Sequence, residues 1–429
     1  MARFALRVRS SVSALLSAAL LAACASTPEA YLRPVGPAPP GGSRVDMLIV
    51  TTRKPSPDPG VLFTGERGIG YRTTEIVVSI PPEAARKVGD VEWPKTNTPD
   101  PAKEFAVLSV KPLELGQATD WFTRTAGADG RLLVFVHGFN TRFEAAVFRF
   151  AQIVHDTGAP MAPVLFTWPS RGSVFAYVYD RESANYSRNA LEAALTRAAE
   201  APEVKDITIM AHSMGTYLTM EALRQTAVRQ GRLPAKITNV VLAAPDIDID
   251  VFREQYESLG PDKPHFTIFV STDDRALSLS RFIAGDVGRL GAVDPAKEPW
   301  RSRLEAHPGV TVIDLSKLKT GDPFNHEKFV ASPQIVQVLG GRLAQGQKLS
   351  DYNPSLGEQV GVLAVGAGRT VGTAAGVVVA APLALVDPNT RDRLGEQAAP
   401  LGGGPSKNAT EAEPQPPPPP QEAPKQPPN

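Results

Sequence analysis

The sequence predicts an α/β fold, a mostly parallel sheet with helices on both faces. Three observations carry that expectation. From Arg131 onward, strand-like runs and helical patterns alternate regularly, the order that links parallel strands through helical crossovers. The strand-like runs, such as residues 132–136, are apolar at consecutive positions, as strands buried on both faces must be. Hydrophobic residues make up 42% of the 429, an ordinary globular share that can fill a large core.

The elements follow in order. Runs at 45–51, 74–80 and 105–110 are β-branched, bounded by Pro, Gly and charged residues, and read as strands. After strand 132–136, Thr141-Arg-Phe-Glu144 reads as a capping box. Phe143, Ala146, Val147, Phe150, Ile153 and Val154 then line one helical face, which Gly158 closes. Strand 164–168 precedes a helix marked by Ala190, Leu191, Ala194, Leu195 and Ala198. Strand 207–210 leads into helix 214–230, which stops at Gly231, and strands 240–242, 265–270 and 310–313 follow. A last helix is expected over 327–343, kinked or broken at Pro333.

The two ends differ in character. Arg3, Arg7 and Arg9 precede a short apolar run at 11–23, the pattern of a secretory signal too short to span a membrane. It ends on Leu21-Ala-Ala-Cys24, and the single cysteine of the chain stands where a bacterial lipobox places its lipidated residue. Residues 1–23 are therefore expected to be a lipoprotein signal peptide, with Cys24 acylated and 24–43 a flexible Pro/Gly-rich tether. Ala25 and Ser26, with no aspartate after the cysteine, favour the outer membrane of a Gram-negative-type envelope, facing the periplasm. Residues 44–345 are expected to form the α/β domain. A Gly/Ala/Val-rich stretch covers 346–400, and within it 361–385 is expected to pack across the domain as an apolar strap, membrane contact being the alternative. The tail 401–429, with five consecutive prolines at 416–420, reads as disordered.

Chemistry concentrates at two loops. Ala211-His-Ser-Met-Gly215 directly follows an apolar strand and opens a helix, the setting of a nucleophile elbow with Ser213 at its tip. Small flanks are needed because neighbouring backbone comes close; Gly215 supplies one, and Ala211 replaces the usual glycine at the other with a single extra methyl. His137-Gly-Phe-Asn140 ends the first buried strand, where this fold draws one oxyanion N–H, here that of Phe139; Met214, after the serine, would give the other. A serine needs a base, and the base an orienting carboxylate, in the order Ser, acid, His. His265 and His307 precede their strands, at the wrong sheet edge, whereas His326 follows the last strand. Asp274 is preferred as the acid, then Asp246, with Asp273 close behind. Loop 169–185 should overhang this site, with Arg171, Tyr177, Tyr179 and Arg181 either shaping a pocket or packing the loop down.

Taken together, Val136-His-Gly-Phe-Asn140, Phe166-Thr-Trp-Pro-Ser-Arg-Gly172, Tyr179-Asp-Arg-Glu-Ser-Ala-Asn185, Ala211-His-Ser-Met-Gly215 and Val241-Leu-Ala-Ala-Pro-Asp246 resemble a family of bacterial α/β hydrolases long described as a domain of unknown function. The resemblance covers about residues 45–343 and implies the α/β-hydrolase fold and a serine triad matching Ser213, an aspartate and His326. It implies no defined substrate. Where that family often has Gly-His before its last helix, this chain has Asn325-His326.

The expected activity is hydrolysis of an ester or related acyl bond of a small or lipid-like molecule, with no cofactor. The alternatives are a peptidase or thioesterase on the same residues, or an envelope scaffold that has lost turnover. Lys+Arg and Asp+Glu both total 45, so charge balance gives no sign of a nucleic-acid partner, and no HExxH, Cys/His cluster or P-loop suggests a metal or nucleotide.

Overall fold

A computed structural model of the chain describes residues 30–340, except 128, 308, 334, 337 and 338, and the backbone of Leu363–Val365. The expected signal peptide, Cys24, the start of the tether, the rest of 346–400 and the Pro-rich tail lie outside the described residues.

The strands are β1 (Ser43–Pro55), β2 (Phe63–Ile80), β3 (Ala106–Leu113), β4 (Arg131–Val136), β5 (Ala162–Thr167), β6 (Asp206–His212), β7 (Ile237–Ala243), β8 (His265–Val270), β9 (Val310–Asp314) and β10 (Leu363–Val365). They form one sheet in the order β10-β9-β8-β7-β6-β4-β5-β1-β2-β3. From β9 to β1 every neighbouring pair is parallel; β2, β3 and β10 are antiparallel additions at the two edges.

The helices are α1 (Leu115–Thr125), α2 (Phe143–Thr157), α3 (Tyr177–Glu200), α4 (Met214–Gln230), α5 (Ile249–Glu257), α6 (Arg275–Ile283), α7 (Trp300–Glu305) and α8 (Lys328–Ala331). Strand pleating decides which helix meets which face. Leu132, Val134 and Val136 of β4 join a core built with α1, α3 and α4, while Leu133 and Phe135 join the opposite core with α2 and α8. Phe135 stacks on Phe150 of α2 at 5.3 Å. A fully buried aromatic of this kind contributes roughly 1.5–3 kcal/mol.

Two local expectations change. The capping box at Thr141–Glu144 does not form: the N-cap is Arg142, and no side chain caps α2. The Thr141 hydroxyl instead donates to Phe139 O, and its N–H to Ser170 Oγ, so the loop takes the groups a cap would use. The loop over 169–185 is shorter than expected, because α3 already begins at Tyr177. The last helix breaks where the sequence places the break: Lys328–Ala331 ends at Ser332, extended as a residue before proline tends to be, and helical structure resumes at Pro333.

Topology sets the position of the site. From β4 the chain crosses to β5 on one side and later returns to β6 on the other, so the strand order reverses between β4 and β6. At such a switch point the loops leaving the strand carboxyl ends diverge and open a crevice. The loops after β4 and β6 are those carrying His137-Gly-Phe-Asn140 and Ser213.

Candidate active site

Ser213 links β6 to α4 with φ 52° and ψ −125°, a conformation L-residues rarely adopt. Its N–H donates to Ala243 O of β7, and its carbonyl accepts from Thr216 N and Asp246 N. These bonds hold the turn from three directions. Ser213 occupies the helix N-cap, yet its side chain makes no capping bond, and among the described residues the hydroxyl has no hydrogen-bond partner. Close approach explains the two glycines. A Cβ on Gly215 would collide with the carbonyl oxygens of Val136 and His137, and one on Gly138 would lie 2.8 Å from Ser213 Cβ. The loop after β4 therefore sits directly against the elbow.

His326 leaves the loop after β9, preceded by Asn325 at φ 56°. Its Nδ1 lies 2.6 Å from Asp274 Oδ2. Burial opposes charging the ring, but the hydrogen bond and the charge of Asp274 outweigh it and hold the His326 pKa above the ordinary 6.5. The His326 ring packs against that of His212, the residue before Ser213, at 4.6 Å. His212 Nε2 donates to His326 O at 3.3 Å, and burial keeps His212 well below 6.5, hence neutral.

The structure separates the three candidate acids. Asp274 caps α6, its Oδ1 accepting from Leu277 N, while Oδ2 faces His326. Asp273, its neighbour, turns to Lys328 Nζ at 2.7 Å and to Ser271 and Asn325. Asp246 lies by Arg289 Nε at 3.1 Å, and accepts from Ser280 Oγ and Tyr177 OH. Neither bonds His326. His265, the first residue of β8, meets Thr311 at 3.2 Å, and His307, just before β9, donates to Arg303 O; both stand at the amino ends of their strands, whereas Ser213 follows the carboxyl end of β6.

Of the four side chains expected over the site, only Tyr177 reaches it, with its ring edge against Phe139 at 5.3 Å and its hydroxyl between Asp246 and Ser280. Arg171 stacks on Tyr179 at 3.6 Å and pairs with Glu66, fastening the loop to the β1–β2 hairpin. Arg181 covers Tyr217 of α4. Neither Phe139 N–H nor Met214 N–H donates to another group among the described residues.

Several contributors carry no sequence signal of their own. Lys328, fully buried, bonds Asp273, Ser271 Oγ and the carbonyls of Leu315 and Ser316, tying the loops after β8 and β9 together. Arg53 lies buried behind His137, and the His137 ring stacks on Trp168 at 5.0 Å. Only the position of Trp168 at the end of a buried strand hinted at a structural role. Among the described residues no cluster of His, Cys, Asp and Glu could hold a metal ion.

No curated protein matches the chain by sequence. Among solved structures it is similar to Aspergillus fumigatus lipase B, at 12% identity and TM-score 0.25, covering 34% of this chain and 39% of that one. It is also similar to a lipase-esterase related protein from Clostridium acetobutylicum ATCC 824, at 14% identity and TM-score 0.26 over 49% and 93% of the two chains. A third likeness is to a fungal esterase from Rhizomucor miehei, at 13% identity and TM-score 0.30 over 64% and 77%. The match to the lipase thus spans well under half of that enzyme. The model of the family described as "Alpha/beta hydrolase of unknown function (DUF900)" matches residues 116–342, more than half of the sequence, and the chain belongs to that family.

Proposed function

We propose that this chain is a serine hydrolase that cleaves an ester or related acyl bond through an acyl-enzyme. The observation that carries the reading is the 2.6 Å Asp274–His326 couple at the sheet edge where Ser213 turns through positive φ. In the proposed reaction Ser213 Oγ attacks the carbonyl carbon while His326 Nε2 takes the hydroxyl proton. Asp274 holds Nδ1–H and stabilises the imidazolium that forms. The N–H groups of Met214 and Phe139 receive the negative charge on the tetrahedral oxygen. His326 then passes its proton to the leaving alcohol, leaving Ser213 acylated. Water, deprotonated by His326, attacks the acyl carbon, and the serine departs with that proton. The Ser213–His326 hydrogen bond is open here; such bonds commonly tighten only around bound substrate. This chemistry calls for no cofactor.

The surroundings favour an apolar acyl group. Val174, Phe175 and Val178, near Tyr177 in sequence, and Leu279, Phe282 and Ile283, near Ser280, are all exposed; Phe175 is 84% and Phe282 79% exposed. The Tyr177–Ser280 hydrogen bond joins the two groups at 3.0 Å. Exposed apolar side chains on both segments that this bond joins support a lipid-like ester as substrate. We further propose that acylation of Cys24 anchors the enzyme at the envelope. A palmitate analogue fed to cells should mark the wild type and miss Cys24→Ser; recovery of the wild type as free periplasmic protein would contradict the anchor.

The deciding experiment is fluorophosphonate labelling of the purified protein, followed by a panel of esters of increasing chain length. Label is expected on Ser213 and absent from Ser213→Ala. Label on another serine, or none on folded protein, would sink the enzyme reading.

A further inference from the structure

Arg53 of β1 is 1% exposed, and all its hydrogen bonds go to uncharged groups. Its Nε donates to Thr167 Oγ1 at 2.7 Å, Nη1 to Ser170 O at 2.8 Å and Thr64 O at 3.3 Å, and Nη2 to Thr141 O at 2.7 Å. Burial lowers its pKa only to about 10, so it remains a cation at neutral pH. The charges of Glu144 and Asp180 offset only part of the effect of burial, and a buried charge bonded to no carboxylate still costs several kcal/mol.

The remaining contact shows what the charge does. Arg53 Nη2 approaches His137 Nε2 at 3.3 Å, and Trp168 N–H donates to the same nitrogen at 3.2 Å. Two donors on Nε2 leave it no proton, so the neutral ring carries its hydrogen on Nδ1. Nδ1–H then donates to Gly138 O at 2.9 Å. Burial, followed by the Arg53 charge, pushes the His137 pKa well below 6.5 and keeps the ring in this neutral form. Gly138 O belongs to the peptide unit that bears Phe139 N–H. In a trans peptide the C=O and N–H point in opposite directions, so fixing one fixes the other. We infer that Arg53 and His137 are positioning residues, setting through the His137 tautomer the direction of the Phe139 N–H that receives the oxyanion. The inference rests on the serine-hydrolase reading.

Two substitutions at His137 separate this role from packing. His137→Phe keeps a ring on Trp168 but loses the donor to Gly138 O. His137→Asn loses the ring, yet its amide can stand where Nδ1–H stood. The expected result is that His137→Phe lowers kcat by about 10²-fold, the low end of what loss of an oxyanion donor costs, with KM within about threefold, and slows fluorophosphonate capture of Ser213 in parallel. His137→Asn should stay within about fivefold of wild type, and Arg53→Lys, which keeps the charge but not the fork, should fall between the two. Melting temperatures recorded alongside separate loss of fold from loss of rate. Equal activity of His137→Phe and wild type, or a His137→Asn variant slower than His137→Phe at matched stability, overturns the inference while leaving the serine reading intact. A wild type with no Ser213-dependent labelling overturns both.

Discussion

Asp273 and Asp274 are neighbours in sequence with opposite tasks, one held by Lys328 and the other facing His326. Replacing each tests the difference. Asp274→Asn should lower kcat by about 10³–10⁴-fold, because an amide favours the wrong imidazole tautomer. Asp246→Asn and Asp273→Asn should each cost far less, and the reverse ranking would move the acid. The pH profile follows with its sign. His326 must be neutral to act as a base, and Asp274 holds its pKa above 6.5 against the effect of burial. The kcat/KM should therefore rise with pH and level off beyond an inflection above 6.5, and Asp274→Asn should move that inflection down. Backbone strain also gathers here, although Ala30, Leu62 and Asp286 have positive φ elsewhere. Asn140, Ser213, Ala244 and Asn325 all have positive φ, and each stands at the carboxyl end of a sheet strand or beside His326. Strain of this kind, of order 1–3 kcal/mol per residue, persists where surrounding bonds over-determine the turn. Gly215→Ala adds a methyl that must displace β4 carbonyls. It should destabilise by about 1–3 kcal/mol in urea melts and remove activity together.

At the scale of elements, residue chemistry is more legible in the sequence than element boundaries. Helix 214–230 and strand 265–270 have the bounds their sequence suggests, since an apolar run, a turn residue or a terminal glycine marks each end. Helix α1 was missed, although Ala118, Trp121 and Phe122 bury one face and Glu114 with Gln117 forms a true capping box. Its signal is three apolar residues in a polar stretch, easily outweighed by the strands around it. The box expected at Thr141 failed for the opposite reason, as tertiary bonds to Phe139 and Ser170 claimed its groups. The loop-to-loop links were not legible at all. Nothing in the sequence tells that Lys328 reaches back over about fifty residues to Asp273 and to carbonyls of the β9 loop. Lys328→Met should show what that link does. It removes one donor each from two carbonyls, Ser271 Oγ and the half-exposed Asp273 carboxylate, a loss of about 1–3 kcal/mol, read as a lower urea midpoint at unchanged m-value. An unchanged midpoint would mean that solvent replaces the ammonium without cost.

For the molecule as a whole, the fold class follows from period and order alone, and the family match agrees with the resemblance read from five short blocks. The edges are where sequence says least, because an edge strand pairs on one side and needs little apolar pattern of its own. Leu363–Val365 is such a case. It lies in the Gly/Ala/Val-rich stretch and pairs antiparallel with β9, Leu363 opposite Asp314, Ala364 opposite Ile313 and Val365 opposite Val312. We propose that this pairing fastens the segment to the hydrolase domain and covers the β9 edge. The gain is limited. Each backbone bond contributes about 0.5–1.5 kcal/mol net, and closing the chain between α8 and β10 offsets part of it. In a Cys24→Ser background, truncation after Asn353 should therefore lower the melting temperature by only a few degrees, at roughly 2–4 °C per kcal/mol for a domain of this size. It should also raise aggregation, since β9 is left with unpaired backbone groups beside an apolar core. If the truncated chain melts and stays dispersed as the full chain does, but loses residual binding to liposomes, the pairing is incidental and the segment serves the membrane.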